Sequence, residues 1–111
     1  MLKQMFAVVV LGLACCGAFA RSVLIDVRTA EEFAAGHLDG ALNISHDQIG
    51  QRIGMAGVSK DDEIVLYCRS GHRAGIAAET LTHLGFKHVQ NYGGMDDARK
   101  KLCSLKPAGT C

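Results

Sequence analysis

Hydrophobic and polar positions follow two different spacings along the chain after residue 20. Residues 23–27 and 63–67 are short, mostly apolar runs typical of buried strands, and residues 41–44 and 88–91 form two weaker runs of the same kind. Between these runs the apolar residues recur at helical spacing. The clearest set is Ala74, Ala77, Ala78, Leu81 and Leu84, which ends at Gly85. The pattern predicts alternating strands and helices.

Helix start and stop signals place the remaining helices. Thr29 with Glu32 three residues later forms a capping-box pattern, and Gly36 ends that helix. Two further helices are predicted over residues 47–55 and 96–105, the latter after a turn at Gly93 and Gly94. The order of elements predicts an α/β fold, with a small parallel sheet of about four core strands flanked by helices on both faces.

The first twenty residues have the features of an export signal. Lys3 precedes an apolar run at residues 5–13, and Ala18 and Ala20 form a small-residue cleavage site before Arg21. We therefore predict a signal peptide over residues 1–20, a single domain over residues 21–111, and a periplasmic or secreted protein. Retention of the segment as a membrane tether is the alternative.

Composition and charge narrow the classes of function. The chain has 111 residues, with 12 Lys and Arg against 11 Asp and Glu, which is enough for one domain and gives no bulk charge for binding nucleic acid. Export would permit disulfides. Cleavage before Arg21 would remove Cys15 and Cys16 and leave three cysteines. Of these, Cys103 and Cys111 are close enough in sequence to close a small ring, which leaves Cys68 as an unpaired thiol that is either a buried hydrophobe or a reactive group.

The segment after the most strand-like run carries the candidate chemistry. It begins with Cys68 and continues with Arg69, Ser70, Gly71, His72 and Arg73, at the sheet edge where parallel α/β folds bind ligands. Loop N–H groups entering a helix, together with the two guanidinium groups, would form a cradle for an anion and favour the thiolate of Cys68. A metal is not expected, because the arginines would repel a cation.

The spacing Cys-x4-Arg is one residue shorter than the Cys-x5-Arg loop of cysteine-dependent phosphatases. A smaller loop suits a smaller centre, such as a sulfur atom carried on Cys68. A phosphatase or an arsenate reductase stays open as a weaker alternative, and turnover of a phosphate ester would favour it.

Three segments of the chain carry short motifs in a fixed order. The first segment is Leu-Ile-Asp-Val-Arg at 24–28 with Glu31, Phe33, Gly-His at 36–37 and Gly-Ala-Leu-Asn-Ile at 40–44. The second is residues 63–74, and the third comprises Leu-Gly-Phe at 84–86, Val89 and Gly-Gly-Met at 93–95. Together they resemble the rhodanese-like sulfurtransferases, and among them the small, exported, single-domain rhodaneses of the phage-shock type, although Met95 stands where the family usually has Trp.

The resemblance implies sulfur transfer from thiosulfate to cyanide or another thiophilic acceptor, such as a thiol or a protein thiol. Cys68 would carry the sulfur as a persulfide, so no cofactor is expected, and Arg69 and Arg73 would bind the sulfonate oxygens. Asp26 and Arg28 would support the loop, more simply as a structural ion pair. A monomer is expected. A carrier that holds persulfide for a protein partner, with little turnover on small molecules, is the alternative function.

Overall fold

The computed structural model describes residues 21–107; the predicted signal peptide and Cys111 lie outside this range. Strands and helices alternate as the sequence predicts. The strands are β1 (Ser22–Asp26), β2 (Leu42–Asn43), β3 (Glu63–Cys68) and β4 (His88–Gly94), and the helices are α1 (Ala30–Ala35), α2 (Ile49–Arg52), α3 (His72–His83) and α4 (Met95–Ser104).

The four strands form one parallel sheet in the order β2-β1-β3-β4. Ile25 of β1 lies beside Leu42 of β2 on one side and Leu66 of β3 on the other. Because every pair is parallel, the carboxyl ends of β1 and β3 meet at the same edge of the sheet. This arrangement confirms the predicted α/β fold and brings the end of each strand to one functional edge.

Helices cover both faces of the sheet. On one face, Ala74, Ala77 and Leu81 of α3 pack with Ile49 of α2 and the inward side chains of the strands in the larger apolar core. On the other face, Ala98 of α4 packs with Leu38 and Tyr67 in a smaller cluster. Burial of the large core dominates the stability of the sheet, because hydrophobic stabilisation scales with the apolar area removed from water.

Two local predictions are met and two need correction. Thr29 and Glu32 form the capping box of α1, which ends at Gly36. The helix predicted over residues 47–55 is shorter in the structure and covers Ile49–Arg52. The last strand was predicted to end at residue 91 before a turn at the glycine pair, but β4 continues to Gly94. Its pairing with β3 is irregular after Leu66, and this irregularity accommodates one extra residue in β4.

Candidate active site

Cys68 is the last residue of β3 and is completely buried. Its Sγ accepts a hydrogen bond from the backbone N–H of Gly71 at 2.8 Å and a longer one from that of Ala74 at 3.4 Å. These donors lie at the N-terminus of α3, where the first backbone N–H groups have no partner within the helix. Two N–H groups therefore point at the sulfur and stabilise negative charge on it.

The loop bends closely around the sulfur because glycines stand where the loop meets the end of β4. One of them lies in the loop and two lie at the end of that strand. Gly71 has φ +96°, a left-handed conformation that favours glycine, and a Cβ there would lie 3.2 Å from Cα of Gly93. A Cβ on Gly94 would lie 2.5 Å from the carbonyl oxygen of Arg69. The glycine pair at the end of β4 is thus the wall against which the Cys68–Arg73 loop packs.

Arg73 does not extend freely into the loop. Its guanidinium donates two hydrogen bonds to the Glu32 carboxylate, Nη1 to Oε1 at 2.7 Å and Nη2 to Oε2 at 3.1 Å. These bonds and the capping contacts with Thr29 lower the pKa of Glu32 to about 2, and the Glu32 carboxylate in turn raises the pKa of Arg73. Part of the cationic charge that the sequence places at the loop is therefore neutralised by an acid of α1.

Glu32 is one residue of the site whose contact with the loop sequence reasoning missed. The capping box identified it only as a helix-terminal residue. A second signal was available in the topology, because the helix that follows β1 begins at the same sheet edge as the loop that follows β3. An acid in the first turn of that helix is consequently well placed to meet a loop arginine.

Three other predicted loop residues lie at the surface of the protein. The Arg69 side chain is 80% exposed, with Nη1 3.9 Å from Glu32 Oε2, so its charge is available to an incoming anion. Ser70 and His72 are also exposed, and His72 is the first residue of α3. Arg69 further lines a shallow cleft of about 720 Å³ together with Arg28 and residues at the start of α4.

Asp26 and Arg28 form a buried ion pair at the end of β1. Arg28 Nη2 donates to Asp26 Oδ2 at 2.6 Å and to the Gly36 carbonyl at 2.7 Å, and its Nε donates to Asp26 Oδ1 at 2.9 Å. The hydrogen bonds to Asp26 raise the pKa of Arg28. The pair ties the segment after β1 to the end of α1 and supports the edge of the sheet beside the loop.

Two further features bear on the sequence predictions. Cys103 lies on α4, and its predicted partner Cys111 lies outside the described residues, so the disulfide stays a prediction.

Within residues 21–107, no group of three or more His, Cys, Asp or Glu side chains is placed to hold a metal ion. No helix in that range is long and apolar enough to cross a bilayer.

The arrangement suits nucleophilic chemistry on an anionic substrate. A buried sulfur receives two backbone hydrogen bonds, and an exposed guanidinium is adjacent to it in sequence. N–H groups in this position can stabilise an anion on Sγ before a covalent step, and an exposed guanidinium can attract a negatively charged ligand.

Comparison with known proteins shows which family the chain resembles. A family model described as a rhodanese-like domain matches residues 16–101. The chain is 39% identical over 79 residues to the thiosulfate sulfurtransferase PspE of Escherichia coli, covering 71% of this chain and 76% of that protein. These similarities support sulfurtransferase activity in general.

The fold is similar to solved structures of rhodaneses and sulfurtransferases. A rhodanese with anions from Escherichia coli superposes with a TM-score of 0.66 at 38% identity, covering 68% of this chain and 89% of that chain. The human single-domain sulfurtransferase TSTD1 superposes with a TM-score of 0.62 at 28% identity, covering 73% and 83% of the two chains.

Proposed function

Because the chain belongs to the rhodanese-like domain family, we propose that it is a thiosulfate sulfurtransferase that carries sulfur as a persulfide on Cys68. One observation supports this most strongly: the buried Sγ of Cys68 accepts hydrogen bonds from the N–H groups of Gly71 and Ala74. A thiolate carries its charge on Sγ, which these donors reach, and a persulfide carries its charge on the outer sulfur, which would be held by N–H groups of the same loop.

In the first half-reaction, the Cys68 thiolate attacks the outer sulfur of thiosulfate. The thiolate electron pair forms the new S–S bond, and the electron pair of the thiosulfate S–S bond leaves with sulfite. The products are Cys68–S–S⁻ and sulfite dianion, so charge is conserved. Arg69, whose side chain is exposed, would bind the sulfonate oxygens and then the departing sulfite.

In the second half-reaction, a thiophilic acceptor attacks the outer sulfur of the persulfide. With cyanide, the new bond gives thiocyanate, and the S–S electron pair returns to Cys68 as thiolate. The reaction needs no oxidant or reductant, because sulfur is transferred without net change in the enzyme. Arg73 donates a bidentate pair of hydrogen bonds to Glu32, which suits it to fixing the start of α3, and its binding of the sulfonate oxygens stays a prediction.

Steady-state formation of thiocyanate by the full chain tests this function. We expect saturable turnover with thiosulfate and cyanide, and no turnover by Cys68→Ser or Cys68→Ala, since neither side chain supplies a thiolate. Circular dichroism of each variant checks that it is folded. Turnover by Cys68→Ser at the wild-type rate would contradict the proposal.

A sulfur-carrier function is the second candidate. The chain is 35% identical over 68 residues to YrkF of Bacillus subtilis, which is named as a candidate sulfur carrier protein and of which the match covers 36%. A carrier would form the persulfide on Cys68 but release little thiocyanate. Transfer would then appear only when a protein thiol acceptor is added.

We also propose that residues 1–20 direct export and are removed before Arg21. The support is the order of Lys3, the apolar run and the Ala18 and Ala20 cleavage pattern. The protein would then act in the periplasm or outside the cell. Expression of the full chain in a bacterium, followed by intact mass of the periplasmic fraction, should give a chain that begins at Arg21. Recovery of the unprocessed chain from the membrane fraction would favour the tether instead.

A further inference from the structure

The side chain of Asn91 connects two parts of the site, the Cys68–Arg73 loop and the glycine pair at the end of β4. Its Nδ2 donates to the carbonyl oxygen of Gly71 at 2.9 Å, and its Oδ1 accepts from the backbone N–H of Gly93 at 2.8 Å. One amide therefore bridges the loop that holds Cys68 and the glycine pair that forms the wall of that loop.

The position of Asn91 follows from the irregular pairing of β4. Leu66 lies opposite Asn91, whereas Cys68 lies opposite Gly94, so three steps along β4 match two along β3. Gly93 has φ +88°, which is typical of the extra residue in a bulge. Such bulges change the direction of nearby side chains, and Asn is well suited to bond a backbone N–H two residues ahead. The bulge thereby fixes the Asn91 amide against the loop.

The contact acts on Gly71, whose N–H is one of the two donors to the sulfur. The Gly71 carbonyl accepts from Asn91 Nδ2 and also from the N–H of Gly75 at 3.0 Å, at the start of α3. The peptide bond between Gly71 and His72 is trans, so holding its carbonyl toward Asn91 fixes the plane of that peptide. This peptide lies between the Gly71 and Ala74 N–H groups, which are the two that reach Sγ.

We propose that Asn91 is a positioning residue: it holds the Gly71 carbonyl and the Gly93 N–H together and so keeps the N–H groups of the loop directed at the sulfur of Cys68. The importance of Asn91 for sulfur transfer rests on the proposed function. Its effect on the Cys68 thiol does not depend on that function. Asn91 touches the loop backbone and not the sulfur, so it acts through Gly71.

Alkylation of Cys68 by iodoacetamide tests the proposal without any sulfur donor. The ratio of the second-order rate constants at pH 6 and pH 9 measures how far the site favours the thiolate, and a change in accessibility alone cancels in that ratio. The charged and titratable groups around the loop come from the loop and from the elements packed against it: Arg69, His72 and Arg73 of the loop, Arg28 after β1, Glu32 of α1, and Asp96, Asp97, Lys100 and Lys101 of α4. None of them is altered in the variants.

Two variants of Asn91 and one control separate the outcomes. Asn91→Leu removes both hydrogen bonds at similar volume, and we expect the ratio to fall about fivefold. Asn91→Asp keeps the acceptor for Gly93 but replaces the donor to Gly71 with a charged oxygen, and we expect at least as large a fall. Gln90→Leu removes an amide from the adjacent residue of β4, which lines a different pocket, and should leave the ratio unchanged.

An unchanged ratio in both Asn91 variants would overturn the proposal, even if their melting temperatures fall, because the residue would then be structural only. A fall of the same size in Gln90→Leu would also overturn it. If Asn91→Leu does not fold, Asn91→Ala carries the test, since it also removes both hydrogen bonds and adds no charge beside the thiolate. A fall in the ratio without any thiosulfate turnover by the wild type would support the positioning role and reject the proposed function.

Discussion

The ends of β1 and β3 lie side by side at one edge of the sheet, and both are followed by arginines, yet they are built differently. After β1, Arg28 is buried, and its guanidinium is bonded to Asp26 and to the Gly36 carbonyl. After β3, Arg69 is 80% exposed, and the backbone N–H groups of the loop point at the sulfur of Cys68.

The two strand ends therefore have different roles in the structure. A buried ion pair whose partners are hydrogen-bonded to each other is part of the framework, and its charge is not available to a ligand. A loop whose donors point at one buried sulfur, with an exposed cation beside it in sequence, can hold a transient anion. Arg73 lies between these two cases, because its guanidinium donates two hydrogen bonds to Glu32 but its side chain is 25% exposed.

The largest expected effect comes from breaking the framework at β1. Arg28→Met leaves the buried carboxylate of Asp26 without its partner, and we expect it to lower the free energy of unfolding by about 3–5 kcal/mol. Arg69→Met is the matched control and should change stability by less than about 0.5 kcal/mol, because the side chain is exposed. Urea unfolding of both variants measures the contrast. Equal losses in the two variants would show that the two strand ends do not differ as described.

A smaller effect is expected from crowding the wall of the loop. Gly94→Ala places a Cβ 2.5 Å from the carbonyl oxygen of Arg69, so the loop must shift, at a cost of about 1–3 kcal/mol. Sulfur transfer should fall with it, because the N–H groups on Sγ move with the loop. Gly54→Ala is the control, since no atom lies within 4 Å of the added carbon. Wild-type turnover by Gly94→Ala would show that loop geometry is not critical.

The smallest effect concerns the link between the two regions. Glu32→Gln weakens the bond to Arg73, and we expect a loss of about 1 kcal/mol at pH 7. Because the pKa of Glu32 falls from 4.5 to about 2 on folding, its charge stabilises the wild type above pH 4.5, and this contribution is lost as the pH falls toward 2. The difference between wild type and variant, measured by urea unfolding at pH 7 and pH 3, should therefore shrink at pH 3. A difference that is larger at pH 3 would contradict the assignment.

Much of the fold could be predicted from the sequence because local signals and topology agree. The apolar run at 63–67 and the helical spacing from Ala74 to Leu84 each indicated the correct type of element, and the alternating order implied a parallel sheet. The end of the last strand could not be predicted in this way. A glycine pair usually signals a turn, and only the pairing with β3 makes Gly93 a bulge inside a strand.

The candidate site was predictable in its position but not in its contacts. Cys68 and the loop follow from the sheet edge and the composition of the segment. The roles of Glu32 and Asn91 depend on which side chains distant segments bring to the loop: Glu32 is 41 residues from Arg73, and Asn91 is 20 residues from Gly71. Sequence spacing alone does not contain that information.

The intact mass of the full chain after brief treatment with thiosulfate shows whether Cys68 carries the transferred sulfur. We expect that the wild type gains one sulfur atom, that peptide mapping places it on Cys68, and that added cyanide removes it. Cys68→Ser, treated in the same way, should gain nothing. No added sulfur on Cys68 of the folded wild type, or an equal gain in Cys68→Ser, would show that Cys68 is not the sulfur carrier.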